Sequence, residues 1–191
     1  MLALPPERGL TCVKGEPRGA FTVICMKAVH SCPELYAHAI AIEREAARRY
    51  AEFAERMSDM DNTAVAEVFS TLAVLESEHL EALLRRTEGM QIPELRTYEY
   101  SWVDSGPPET PARELLFRLL TPHQALRIAL GAEQRAEAFF EHVLMTADDP
   151  ALRALAREMA ADESDHALML ERLLERTPES IVDWAAVYAQ D

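Results

Sequence analysis

Cysteine is scarce in this sequence, and all three cysteines lie near its start, at Cys12, Cys25 and Cys32. An odd number of cysteines confined to the first 32 residues does not provide a disulfide framework. The chain also contains no Cys-x-x-Cys pair, which excludes a zinc ribbon and a redox-active dithiol of that type. This cysteine usage is typical of a reducing compartment.

Long apolar runs are absent as well. No stretch reaches the roughly 18 consecutive apolar residues that a membrane-spanning helix needs. The opening segment, MLALPPERGLTCVKGEPRG, has prolines and charges where a signal peptide would have an apolar run. We therefore expect a cytoplasmic protein without a membrane partner.

Basic residues are few relative to acidic ones. The chain has 19 Lys and Arg against 33 Asp and Glu, which gives a formal net charge of -14. A negative surface of this kind repels nucleic acid and anionic lipid and attracts cations. We expect no nucleic-acid partner.

The remaining composition is that of one packed domain with short appendages. A chain of 191 residues that is 49% hydrophobic is long enough for a single core. Prolines and glycines interrupt the first 30 residues, which predicts an irregular N-terminal arm. We predict the main domain over 31–177 and a short C-terminal helix or tail over 178–191.

Helical periodicity dominates that main domain. Apolar residues recur at three- and four-residue steps over four segments, which span about 31–57, 63–88, 122–147 and 150–176. Ser31 is expected to cap the first helix in a capping box with Glu34, and either Asp61 or Asn62 to cap the second, which Gly89 is placed to end. Thr121-Pro122 is expected to start the third helix, and the fourth is expected to have Asp149 as its cap and Pro150 at its first position. Short turns predict two helical hairpins, and the proline-rich stretch 90–110 predicts a long crossover between them. The predicted fold is an all-α four-helix bundle.

Each predicted hairpin carries the same set of polar residues on its inner stripe. The first has Glu43 on one helix and the pair Glu76-x-x-His79 on the next. The second repeats this order with Glu133, Glu163 and His166. The segments AIEREAARRY and GAEQRAEAFF around the lone Glu are alike. Two such hairpins related by a pseudo-two-fold axis bring both sets to one level of the bundle.

These residue types suit a pair of metal ions. A Glu and a His three residues apart lie on one helix face, so both can bind one ion. Iron or manganese accepts such mixed oxygen and nitrogen ligands. We expect Glu43 and Glu133 each to bind one ion and Glu76 and Glu163 to bridge the two. Two iron ions are the predicted cofactor, with manganese possible.

The alternative to a metal site is a metal-free polar layer. Burying six ionisable groups costs several kcal/mol per ion unless a counter-charge is present. The inner stripes contain no Lys or Arg that could supply it. This cost favours the metal site over the polar layer.

Other polar residues near the stripes are less informative. Tyr50 lies on the stripe of Glu43, where it could donate its hydroxyl to a ligand carboxylate or serve as an ordinary core aromatic; its counterpart in the second hairpin is Phe140. Glu137 is either an additional ligand or a solvated residue. The histidines outside the two pairs are expected to be exposed or capping residues: His30, His38, His123 and His142.

With its ligand residues in this order on four helices, the chain resembles the ferritin-like superfamily, and most closely its rubrerythrin branch, over about residues 33–176. The resemblance implies iron ligation by Glu43, Glu76, His79, Glu133, Glu163 and His166, and a hydrogen-bonding role for Tyr50. It also implies oxidation of the reduced di-iron pair by hydrogen peroxide or dioxygen, and a homodimer.

Two departures from the family pattern bear on function. Classical rubrerythrins have a rubredoxin domain with four cysteines, which this chain lacks, so the resemblance requires an external electron donor. They also have a further Glu ligand where this chain has Ala136, and Glu137 is one position off. We expect a di-iron oxidoreductase of peroxidase or oxidase type. The alternatives are a ferritin-like protein that binds, oxidises or stores iron without a separate substrate, and a di-iron oxygenase or hydroxylase.

Overall fold

The computed structural model describes residues 10–13, 24–95 and 120–179. Four long helices make up most of it: α1 (Cys32–Asp59), α2 (Thr63–Arg86), α3 (Pro122–Thr146) and α4 (Pro150–Arg176). Helix α1 packs along α2, and α3 packs along α4, so the bundle consists of two helical hairpins. The predicted ferritin-like four-helix architecture is confirmed. No helix in the described segments is long and apolar enough to cross a membrane.

The start of α1 follows the sequence signal with one change. The Ser31 hydroxyl accepts a hydrogen bond from the Glu34 backbone N–H, and Pro33 lies in the first turn. The Glu34 carboxylate accepts from the backbone N–H of His30, at 2.8 Å. In a complete capping box this donor would be the N–H of Ser31.

The turn between α1 and α2 differs from the expected side-chain cap. Asn62 stands at the cap position, but its side chain makes no capping hydrogen bond. Its Nδ2 instead donates to the Leu120 carbonyl at 2.8 Å, which links the first hairpin to the residues that precede α3. Asp61 adopts the left-handed conformation, with φ of 58°. The amide of Asn62 therefore joins the two hairpins instead of capping α2.

Caps in the second hairpin are complete. Thr121 and Gln124 form a reciprocal capping box at the start of α3. Asp149 accepts from the Ala151 N–H at 2.9 Å, and Pro150 is the first residue of α4, as predicted.

In the first hairpin, Gly89 adopts a φ of 80° three residues after the last residue of α2, Arg86.

Two apolar clusters fill the bundle at different levels. One includes Leu35, Phe139, Phe140, Leu152 and Met159, and the other includes Met57, Phe69, Leu126 and Leu170. On each helix the predicted ligand Glu lies between the residues of one cluster and those of the other. The polar site is therefore a layer with apolar packing on both sides.

The N-terminal arm is not wholly irregular, which corrects the expectation from its prolines and glycines. Strands β1 (Leu10–Val13) and β2 (Ile24–Lys27) form an antiparallel pair, with Leu10 opposite Lys27 and Val13 opposite Ile24. Most of the crossover predicted over 90–110, from residue 96 onward, and nearly all of the C-terminal element predicted over 178–191, from residue 180 onward, lie outside the described residues.

Candidate metal centre

Each of the four helices contributes one buried glutamate to the polar layer. Glu43, Glu76, Glu133 and Glu163 are exposed by only 5–7% of their surface. Helix periodicity explains this burial, because every one of them lies on its helix's inner stripe, in register with apolar neighbours. Four carboxylates at one level are a concentration of negative charge that the packed interior would not tolerate without protons or cations.

The glutamates and two histidines form two separate groups, each from one hairpin. Glu43, Glu76 and His79 bring one ligand atom each to within 4.8 Å of one another. Glu133, Glu163 and His166 do the same. The structure thus assembles all six predicted ligands, and it divides them as the sequence repeat divides them.

The histidines face the carboxylates through Nδ1. His79 Nδ1 lies 3.6 Å from a Glu76 oxygen and 3.9 Å from a Glu43 oxygen. His166 Nδ1 lies 3.5 Å from oxygens of both Glu133 and Glu163. Both Nδ1 atoms are buried and have no hydrogen-bond partner in the described part of the chain. A buried ring nitrogen that points at two carboxylates without a hydrogen bond is an unmet ligand position.

The spacing of these atoms fits a shared ion. Two ligand atoms that bind one small cation at about 2.1 Å, at roughly right angles or slightly more, lie about 3.0–3.4 Å apart. The observed separations are slightly wider, so small side-chain rotations would close them around an ion. A donor set of two carboxylates and one imidazole per group suits iron or manganese.

The two groups are in contact with each other. The imidazole rings of His79 and His166 stack almost parallel, with 4.1 Å between their centroids and 5° between their planes. Because one ring belongs to each group, two ions bound at the Nδ1 atoms would be neighbours. The arrangement is therefore a candidate binuclear centre and not two isolated sites.

The carboxyl groups show the electrostatic strain of this layer. Burial, a hydrogen bond with Glu76 and the charges of Glu76 and Glu163 raise the pKa of Glu43 to about 10. Burial and the charges of Glu76 and Glu163 raise the pKa of Glu133 to about 7. For Glu76 burial acts in the same direction, but contact with His79 and the hydrogen bond with Glu43 outweigh it and lower the pKa. Without cations the layer therefore retains protons at neutral pH.

Tyr50 is where the structure departs from the predicted hydrogen bond. The residue is 4% exposed, and its hydroxyl has no hydrogen-bond partner within the described residues. Burial, together with the charges of Glu133 and Glu76, raises its pKa. Its ring packs against Phe69, with 6.0 Å between centroids. The hydroxyl is thus close enough to the carboxylates to be influenced by their charge but is not bonded to them.

Among the histidines outside the two Glu-x-x-His pairs, His38 differs from its prediction. It is 2% exposed and packs against Phe139, with 5.2 Å between ring centroids, so the expectation of an exposed or capping residue is wrong. Its position on the apolar face of α1 explains this burial. His123 does act at a helix end, because its Nδ1 donates to the Thr177 carbonyl at 2.9 Å. Glu137 belongs to neither group of ligand candidates.

The layer opens to solvent through a polar cavity of about 340 Å³. Both histidines line it, together with Glu43, Asp162, Asp165 and Arg86. The Arg86 guanidinium is ion-paired with Glu158, which joins α2 to α4 beside this opening. Sequence reasoning missed Asp162 and Asp165; the signal available was their spacing from His166 on α4.

Comparisons with known proteins agree with this site. The Rubrerythrin family model matches residues 34–174, which include all six candidate ligands. The chain is also similar to an uncharacterized conserved protein from Magnetospirillum magnetotacticum MS-1, whose crystal structure has 32% sequence identity and a TM-score of 0.63. That alignment covers 80% of this chain and 99% of the other. Functionally curated proteins gave no match. The chain belongs to the rubrerythrin family of the ferritin-like superfamily.

Proposed function

We propose that the protein is a non-haem di-iron oxidoreductase that reduces hydrogen peroxide or dioxygen with electrons from an external donor. The observation that carries this proposal is the pair of Glu-Glu-His groups whose buried Nδ1 atoms have no hydrogen-bond partner among the described residues and whose imidazoles stack at 4.1 Å. Manganese would fit the same donors. Membership of the rubrerythrin family supports iron.

A bound iron pair that changes between ferrous and ferric states supplies the two electrons that convert hydrogen peroxide and two protons into two water molecules. The chain's own contribution is to hold and shield that pair. Two apolar clusters exclude water above and below the layer. The polar cavity beside His79 and His166 admits a small oxidant from one side.

Metal binding must displace a proton from this layer. The raised pKa of Glu43 means that its carboxyl group carries a proton whenever no cation replaces it. Glu43 also lines the cavity, so a proton on its carboxyl oxygen is within reach of a molecule that enters there. We infer that metal binding at Glu43 displaces this proton and that the cavity carries it to solvent.

Electron supply, assembly and location complete the proposal. We propose that the donor is a separate redox protein or small reductant, that the protein is a homodimer and that it is cytoplasmic. The scarcity of cysteines supports the first and third points, because the chain has no four-cysteine iron site and no disulfide framework. Light scattering of the purified protein tests the dimer, and a large closed cage would favour iron storage.

The test is anaerobic loading with ferrous ion, followed by metal analysis and stopped-flow absorbance after peroxide or dioxygen is added. We expect two irons per chain and at least tenfold faster oxidation by peroxide than by dioxygen. Glu76→Ala and His166→Ala should lose iron. The matched control is Glu78→Ala, an exposed glutamate on the same helix as Glu76.

Each outcome distinguishes the candidates. Faster oxidation by dioxygen, with product iron released or accumulated, would favour iron handling over peroxide reduction. Retention of both irons in Glu76→Ala and His166→Ala would show that the metal binds elsewhere. Absence of bound metal under every loading condition would contradict the proposal and leave a buried polar layer.

A further inference from the structure

A second cavity, of about 190 Å³, lies between α1 and α3. Its walls are mostly apolar, and they include Ile42, Phe53, Ile128 and Ala136. Unlike the polar cavity beside the histidines, it contains none of the six candidate ligands. It therefore needs a separate explanation.

The cavity is lined by sequence neighbours of two candidate ligands, Glu43 and Glu133. Ile42 directly precedes Glu43, and Ala132 and Ala136 lie on either side of Glu133 along α3. A molecule in this cavity would thus lie against the backbone segments that position one ligand from each hairpin. It would lie on the α1–α3 side of the bundle, whereas the polar cavity is lined by residues of α1, α2 and α4.

Tyr50 supplies the first polar group in this apolar cavity. The residue lines the cavity, is 4% exposed and has no hydrogen-bond partner for its hydroxyl in the described residues. Buried hydroxyl groups in folded proteins nearly always have a partner. The hydroxyl oxygen is itself closed to solvent, so a small movement of the Tyr50 side chain would be needed for it to donate to a ligand in the cavity.

Arg135 supplies the second polar group. Its side chain lines the cavity and turns back along α3, so that Nη1 would lie 3.4 Å from a Cβ atom added at Gly131. No carboxylate in the described segments forms an ion pair with Arg135. The other arginine of the cavity, Arg49, is bound to Glu45 through Nε at 2.7 Å. In a chain of net charge -14, an arginine without such a partner beside an apolar cavity favours an anionic ligand group.

Size restricts the apolar part of that ligand. An engineered apolar cavity of about 150 Å³ holds a benzene molecule, so a cavity of about 190 Å³ holds a body slightly larger than a benzene ring. We propose that this cavity binds a small monocarboxylate with an apolar body of about six to eight carbon atoms. The carboxylate would pair with Arg135 and accept from Tyr50, and the body would lie among Ile42, Phe53 and Ile128. This inference does not depend on the proposed redox function.

The test is isothermal titration calorimetry of the full-length protein, both metal-free and iron-loaded, with benzoate and heptanoate as probes. We expect saturable binding with one site per chain in both forms. Arg135→Gln should weaken benzoate binding at least tenfold, and Tyr50→Phe a few-fold. Neutral benzyl alcohol should bind wild type and Arg135→Gln alike, because it lacks the charge that Arg135 recognises.

Matched variants separate this site from others. Arg127→Gln removes an exposed arginine from the same helix, outside the cavity, and should change benzoate affinity less than twofold. Ala46→Phe fills the cavity and should abolish binding of all probes, while iron stoichiometry stays at two; Ala132→Leu is the milder substitute if Ala46→Phe does not fold. Circular dichroism checks folding.

Several results would overturn the inference. Absence of binding in wild type would do so, as would equal losses in Arg127→Gln and Arg135→Gln. Binding that requires iron and survives both cavity-filling variants would show that the carboxylate binds the metal. Failure of iron loading with intact benzoate binding would contradict the proposed redox function and leave this site standing.

Discussion

The two ligand groups of the bundle have the same residues but different surroundings. His166 is 20% exposed and its Nδ1 lies 3.5 Å from both of its glutamates, whereas His79 is 32% exposed and lies 3.6 and 3.9 Å from its own. The pKa of Glu43 is raised to about 10, and that of Glu133 only to about 7. The second group is thus the more compact one, and its most strongly retained proton lies on His166 and not on a carboxyl group. A repeat in sequence does not make two metal positions equivalent.

Removal of a glutamate that is predicted to bridge both ions should have the largest effect on the amount of iron bound by the two ligand groups. We expect Glu163→Ala to reduce bound iron from two per chain to below one, because this carboxylate is predicted to bind both ions. Glu43→Ala should lose only one ion, since the second group keeps all its ligands. Elemental analysis after anaerobic loading and desalting measures both.

Glu137→Ala is the control for that comparison, because Glu137 lies on α3 but in neither ligand group. It should retain two irons. Equal loss in Glu43→Ala and Glu163→Ala would show that the two groups bind only as a unit.

Without metal, the stability of the protein should fall as pH rises, whereas the stability of the iron-loaded protein should increase. In the metal-free fold the pKa of Glu43 is raised from 4.5 to about 10 and that of His166 from 6.5 to about 10. Burial accounts for the Glu43 shift, and for His166 the carboxylates of Glu133 and Glu163 outweigh burial. Both groups bind more protons in the folded state, so the free energy of unfolding falls as pH rises from about 5 to about 9.

Thermal unfolding at pH 5.5, 7 and 8.5 measures this dependence. We expect the Tm of the metal-free protein to fall across the series; the lowered pKa of Glu76 affects stability only below about pH 4.5, outside this range. The iron-loaded protein should gain stability with pH because protons compete with metal for the ligands. Saturation at 100 times the Kd adds about 2.7 kcal/mol. A metal-free Tm that rises with pH would contradict the raised pKa values.

The order in which the two ligand groups bind ferrous ion should also differ. We expect the first equivalent of ferrous ion to bind the second group, where the ligand atoms are closer together. In titrations at pH 6.5, His166→Ala should lose the tighter site and His79→Ala the weaker one. The opposite assignment would show that exposure of the site to incoming metal matters more than its prior arrangement.

The smallest effect concerns Tyr50 and its counterpart Phe140. Tyr50→Phe should change the free energy of unfolding by less than about 1 kcal/mol, because the hydroxyl has no partner to lose. Urea denaturation measures it, and the surface variant Arg127→Gln provides the baseline. A loss of more than about 2 kcal/mol in the free energy of unfolding would instead indicate that the hydroxyl donates to a ligand carboxylate, as the family resemblance implies.

Much of the fold could be predicted because the signals are local. Proline and capping residues marked the starts of α1, α3 and α4, and the predicted helix boundaries differ from the observed ones by at most two residues. Asn62 was harder to interpret, since its amide is used by Leu120, a residue 58 positions away in the chain. The strands in the N-terminal arm were missed because each contains only four residues, too few for a periodic pattern.

The candidate metal centre shows the same contrast between local signals, which the sequence reveals, and contacts between helices, which it does not. The spacing of Glu76 with His79, and of Glu163 with His166, places ligands on one helix face whatever the rest of the fold, so the six candidates were readable from sequence. The burial of His38, the free hydroxyl of Tyr50 and the cavity beside Arg135 depend on which side chains of other helices come near. The unequal pKa values of Glu43 and Glu133 have the same origin, because burial and charge act through space and not along the chain.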